Sequence, residues 1–148
     1  MSGIALKLTI KGDAKEKLAE LIGKLDNQQQ FFAAASEIML DQTQARFKEQ
    51  RGPDGTAWKP LAPATVASRG SSSPILEVSG ALRNVHAAPT SDTAKVETSP
   101  LVYAAIQNEG GKAGRGNSVT IPARPYFGFG DDDINELEEL AESMLFVK

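Results

Sequence analysis

Residues 4–25, IALKLTIKGDAKEKLAELIGKL, change their hydrophobic period part-way along, and a chain that does so mixes strand with helix. Ile4, Leu6, Leu8 and Ile10 alternate with Ala5, Lys7 and Thr9 at a period of two, which predicts a half-buried strand. Gly12 ends it. Asp13 with Glu16 three residues later is a D-x-x-E variant of the capping box, able to satisfy backbone donors at a helix start. Leu18, Leu21, Ile22 and Leu25 then mark the apolar face of a helix of about three turns. A second helix is predicted over 27–50, with Phe31, Ala35, Ile38, Met39, Gln42 and Phe47 close to one stripe and Gln, Glu, Lys and Arg on the other face.

Beyond it, Gly52-Pro53-Asp54-Gly55 cannot continue a helix, because proline lacks the amide donor and glycine favours turns. Trp58 to Leu61 is expected to pack beneath that turn, and 65–69 to form a short helix. Residues 70–74, GSSSP, have neither bulk nor period and read as a mobile loop. Over 75–85 the apolar positions fit a helical turn and an irregular strand equally. A strand is predicted over 95–98, a short helix over 103–108, a glycine-rich mobile loop over 111–117 and a strand over 119–121 stopped by Pro122. The last element, 131–146, starts on three aspartates, favourable at the positive end of a helix, and sets Ile134, Leu137, Leu140, Ala141, Met144 and Leu145 on one face. Together these predict an α+β fold: one domain over 1–148, with a small, mainly antiparallel sheet packed by N-terminal, central and C-terminal helices.

Composition agrees with a globular chain: 148 residues, 41% hydrophobic and 24% charged, without internal repeat. With no cysteine there is no disulfide, thiol nucleophile or thiolate metal site. The N-terminus lacks an export signal and no stretch approaches the roughly 18 apolar residues of a membrane span, so a soluble protein with no membrane partner is expected. The net charge of -3 is segmental: residues 131–148 hold seven acids against one lysine, leaving fifteen basic and twelve acidic groups, or +3, before them.

Chemistry-bearing clusters are scarce. His86 is the only histidine and stands in NVHAAPT without a carboxylate or second ligand beside it in sequence, so neither a zinc site nor a Ser-His-Asp triad is expected. Residues 110–118, GGKAGRGNS, have glycines and cations able to touch phosphate. Lys112 nevertheless precedes Gly114 rather than following the last glycine of a P-loop, and a flexible loop is the plainer reading, with Lys112 and Arg115 as partner-contact candidates. Asp131, Asp132 and Asp133 read as a solvated helix start before a magnesium site. Basic residues interleaved with acids and a sequence pI near 5.2 leave at most weak, non-specific DNA contact. No enzymatic activity, metal or cofactor is expected.

Three segments carry something more specific. They are RFKEQRGPDGTAWKPLAPAT (46–65), ILEVSGALRNV (75–85), and the pair YAAIQNEGG (103–111) and IPARPYFGF (121–129). In order and spacing they resemble the phage virion morphogenesis family, which includes tail completion proteins and the G protein of Mu-like phages. Gln107 and Glu109 depart from its pattern, standing where a histidine and a phenylalanine-like residue are frequent. The resemblance implies a structural protein of a tailed bacteriophage or prophage, acting late in virion assembly in tail completion and head-tail joining. It further implies a homo-oligomeric ring, other phage tail or neck proteins as partners, assembly in the bacterial host cytoplasm and a final place in the virion, in the tail or at the head-tail junction. A prophage-encoded DNA-associated or regulatory binding module, using the basic body and Lys112 with Arg115, is the alternative.

Within IPARPYFGF, Pro122 and Pro125 hold the backbone between them extended, so the segment reads as a rigid strap. Tyr126, Phe127 and Phe129 suit core packing first and partner contact second. Arg124, pinned on both sides, is expected to seek a carboxylate in a neighbouring subunit, with the acids of the C-terminal helix able to receive it.

Overall fold

The N-terminal alternation forms the strand it predicts. A computed structural model of the chain describes residues 4–9, 16–60, 85–98, 104–113, 116 and 119–146. Within them β1 (Ala5–Leu8) lies antiparallel to β3 (Ala94–Thr98), and β2 (Val85–Ala87) pairs antiparallel with the other side of β3, giving the order β1-β3-β2. Burial alternates along β3, with Ala94, Val96 and Thr98 inside and Lys95 and Glu97 half-buried, as a sheet covered on one face requires. The Thr98 side chain extends the β1 edge of the sheet by accepting the Ile4 N–H at 3.0 Å.

The covering element is a helix. After α1 (Glu16–Gly23), Asn27 caps α2 (Gln28–Glu49) by accepting the Gln30 N–H at 3.1 Å. Helix α2 packs on β2 and β3 and also on the C-terminal helix, which in turn packs on α1. Contact on two flanks explains why burial exceeds the single predicted stripe. Phe32, Ser36, Thr43 and Arg46 join Phe31, Ala35, Met39 and Phe47 inside, while Ile38 and Gln42 are half-buried. The buried hydroxyls are satisfied: Ser36 Oγ donates to Phe32 O and accepts the Lys95 N–H, each at 2.9 Å, tying helix to sheet, and Thr43 Oγ1 donates to Met39 O.

A short helix α3 (Ala104–Glu109) follows, then a hairpin of β4 (Gly111–Ala113) and β5 (Val119–Ile121), and last α4 (Asp131–Phe146), whose Ile134, Leu137 and Ala141 are buried. The fold is α+β, as predicted. Two short strands escape the sequence pattern. β2 falls at the end of the segment left open between helix and strand, and β4 turns the first three residues of the glycine-rich 111–117 stretch into paired backbone. The expected cap at Asp13, the helix over 65–69, the loop at 70–74 and residues 75–84 lie outside the described residues.

Candidate functional site

Helix α2 stops where proline and glycine demand it. Gln50 takes the left-handed conformation at φ 58° and its N–H reaches Arg46 O at 2.7 Å. The chain then reverses through Gly52–Gly55: Gly55 N–H bonds Gly52 O, Gly52 N–H bonds Thr56 O, and Asp54 Oδ1 accepts the Thr56 N–H, which holds the Asp54 carboxyl below its ordinary pKa. Trp58 is thereby returned against the helix, its N–H bonded to Gln50 O. At 5% exposure it packs edge-on to Phe47, with ring centroids 5.6 Å apart. Phe47 also stacks on Tyr126 at 5.3 Å, and Tyr126 on Phe127 at 5.0 Å, so one aromatic cluster joins the helix, the turn and the strap.

Residues 122–130 of the strap have no regular secondary structure, and buried backbone without a strand partner must find its hydrogen bonds elsewhere. Side chains from all along the chain provide them. Asn108 Oδ1 accepts the N–H groups of both Tyr126 (2.9 Å) and Phe127 (3.0 Å). Trp58 Nε1 donates to Pro125 O at 2.7 Å, and Arg46 Nη1 to Tyr126 O at 2.8 Å. The Arg124 N–H bonds Gln107 O, and the Arg124 guanidinium donates from Nε to Lys59 O (2.8 Å) and from Nη2 to Pro60 O (2.9 Å). Burial lowers the pKa of both arginines, countered at Arg46 by its ion pair with Asp133. Asp133 Oδ2 accepts in addition the Gly130 N–H at 2.8 Å, closing the first turn of α4 in the manner of a capping box.

Where the strap meets α4, an open groove of about 800 Å³ runs between the C-terminal half of α2, the turn at 52–55 and the start of α4. Seven carboxylates and two guanidiniums line it. One of the latter, Arg46, is buried on Asp133, and the other, Arg51, donates to Gly55 O at 3.0 Å.

These positions bear on several sequence expectations. Arg124 is 6% exposed and donates from Nε and Nη2 to carbonyls of its own chain, with no carboxylate partner among the described residues. Tyr126 is wholly buried and Phe127 nearly so, which makes them core, whereas Phe129 is half-buried and Lys112 is exposed. Arg115 lies outside the described residues. His86 does have a carboxylate beside it, because the antiparallel register sets Glu97 opposite and brings Oε1 within 3.0 Å of Nε2, a pairing invisible to sequence neighbours. Among the described residues no group of three or more His, Cys, Asp or Glu side chains is arranged to hold a metal ion. Arg46 and Asn108 carry the strap without having stood out in sequence. A helical wheel puts Arg46 with the polar residues, and a single asparagine near a helix end carries no signal of its distant partners.

The strap is thus built from 46–60, 107–108 and 122–133, which draw on three of the four stretches that set this sequence apart. Comparison with known families covers all of them: the model of the phage virion morphogenesis family matches residues 12–145. The chain belongs to that family. No curated protein and no solved structure matches it. In this virion morphogenesis protein, then, Arg46, Trp58, Asn108 and Arg124 of the family-like segments hold an irregular strap, and no described helix is long and apolar enough to cross a membrane.

Proposed function

We propose that this phage morphogenesis protein is a structural, non-catalytic subunit that completes the tail and joins it to the head, working as a ring with other tail or neck proteins. The observation that carries the reading is the family match across 12–145. The geometry supports a structural role, since the polar side chains of the distinctive segments, Arg46, Asn108, Trp58 and Arg124, are engaged in holding backbone. A rigid strap beside an open charged groove suits repeated contact between neighbours, and a tube of fixed rotational symmetry is met most simply by a closed ring. Of the partner-contact candidates, Lys112 is exposed and Phe129 half-buried, so these two remain open to such contacts. Deleting the gene from the phage or prophage tests the reading. Electron microscopy of the induced lysate should show filled heads and separate tails, restored to joined particles by the wild-type chain. Joined, infectious particles at normal yield without the gene would overturn it.

A further inference from the structure

The sheet β1-β3-β2 ends on β1, and the backbone of that edge strand is only half used. Along an antiparallel pair, residues that exchange hydrogen bonds with the neighbouring strand alternate with residues whose N–H and C=O point away from it. Thr98 N–H bonds Ile4 O at 2.9 Å, which fixes the alternation: Ile4, Leu6 and Leu8 serve β3, and the groups of Ala5 and Lys7 point outward. Both residues are exposed, and no described strand lies beyond them. Such an edge is a template for another strand.

The side chains along the edge say which strand fits. Ala5 and Lys7 lie on the solvent face of the sheet, and Leu6 and Leu8 on the core face, where Leu8 is fully buried but Leu6, with Ile4, is only half-buried. A second β1 laid antiparallel and centred on Leu6 sets Ala5 opposite the second copy's Lys7, Lys7 opposite its Ala5, and the two Leu6 side chains against each other. Both cores then lie on one side of a continuous sheet. The other edge does not serve: Ala88 N–H bonds Lys95 O, so on β2 the outward groups are those of Val85 and Ala87, and Val85 is buried in the core. Pairing β1 with β2 would turn the core face of one copy to the solvent face of the next. Charge points the same way. Lys7 stands directly opposite Lys95 and among the described residues has no ion pair. A second β1 brings the second copy's Glu97 two strands away, about 10 Å between backbones and within the joint reach of the two side chains.

We propose that the free chain pairs with a second copy of itself through β1, antiparallel and two-fold symmetric. An isologous contact of this kind differs from the head-to-tail contacts of a cyclic ring, so the dimer is a form of the chain outside the ring and goes beyond the assembly reading above.

Backbone and charge are tested separately on the full chain. In sedimentation velocity over a range of protein concentrations, the wild type should form a dimer. Lys7→Pro removes an outward N–H and no bond to β3, as proline at a sheet edge permits, and should weaken dimerisation at least about tenfold. Lys7→Glu keeps the backbone, relieves the repulsion with Lys95 and faces the second copy's Glu97. It too should weaken the dimer, and it serves should the proline variant unfold. Amide exchange followed by NMR reads the register: Leu6 and Leu8 amides should be protected at every concentration, and those of Ala5 and Lys7 only where the dimer forms. A chain monomeric throughout, a dimer indifferent to the substitutions, or Ala5 and Lys7 amides that exchange freely in the dimer overturns the proposal. None of these results touches the tail-joining reading, which is judged by the particles formed without the gene.

Discussion

The Arg124 guanidinium is almost wholly buried and, among the described residues, meets carbonyls instead of a carboxylate. A planar fork of fixed donors is what two successive carbonyls, Lys59 O and Pro60 O, require, and the compact ammonium of lysine cannot reproduce it. Arg124→Ala is therefore expected to lower unfolding free energy by about 1–3 kcal/mol in urea titration, with Arg124→Lys recovering little of it. An unchanged midpoint would return Arg124 to the surface role that its sequence suggests. Trp58→Ala should cost about 3–5 kcal/mol, since it removes an aromatic body from the Phe47 cluster and the donor to Pro125 O. At the sheet, Glu97 titrates below the ordinary carboxylate value of 4.5, first because His86 hydrogen-bonds it and then through Lys95. A depressed folded-state pKa makes its contribution complete above about pH 4.5 and lost as pH falls through the lower folded value. The pair is exposed, so the effect is small, and the check is NMR: His86→Ala should raise the Glu97 titration midpoint. None of these pairings could be read from sequence neighbours, because Arg124 to Lys59 and His86 to Glu97 depend on where distant segments are brought.

The two long helices were legible to within a residue at each end, and so was the three-residue β5, whose end Pro122 marks. Helix α2 (Gln28–Glu49) lies one residue inside each predicted limit and α4 (Asp131–Phe146) has the predicted bounds, since many turns of periodic apolar residues, a capping Asn27 and a proline-glycine stop all agree. β2 and β4, at three residues each, are too short to show a period, and what makes them strands is a partner supplied by β3 or β5. The strap was legible as an irregular segment from its prolines, but the side chains that hold its backbone were not. One further feature of its end has a direct cause: a Cβ at Gly130 would overlap the Pro53 carbonyl, so the start of α4 and the turn after α2 approach as closely as they do because position 130 is glycine. Gly130→Ala should force the two apart at about 1–3 kcal/mol and shift the amide resonances of both elements. A silent substitution in both stability and spectrum would mean the approach is not needed.

For the whole molecule, the sequence carried the α+β class, the segmental charge and the family resemblance, and the family match bears out the last. It did not carry the groove, which exists only once the acids of α2, the turn and α4 are folded to one place. That grouping gives the acidic stretch at 131–133 two fates: Asp133 is consumed inside by Arg46 and Gly130, while Asp132 stays exposed at the groove. A chain whose distinctive side chains hold its own backbone, and whose acids gather at an open groove, is suited to being a part of a larger assembly. The most direct measurement of that claim is cryo-electron microscopy of purified phage particles carrying the wild-type gene, with mass spectrometry to identify the chain. The account predicts this protein in a closed ring at the head-proximal end of the tail; its absence from finished particles, or its distribution along the tail tube, would contradict it.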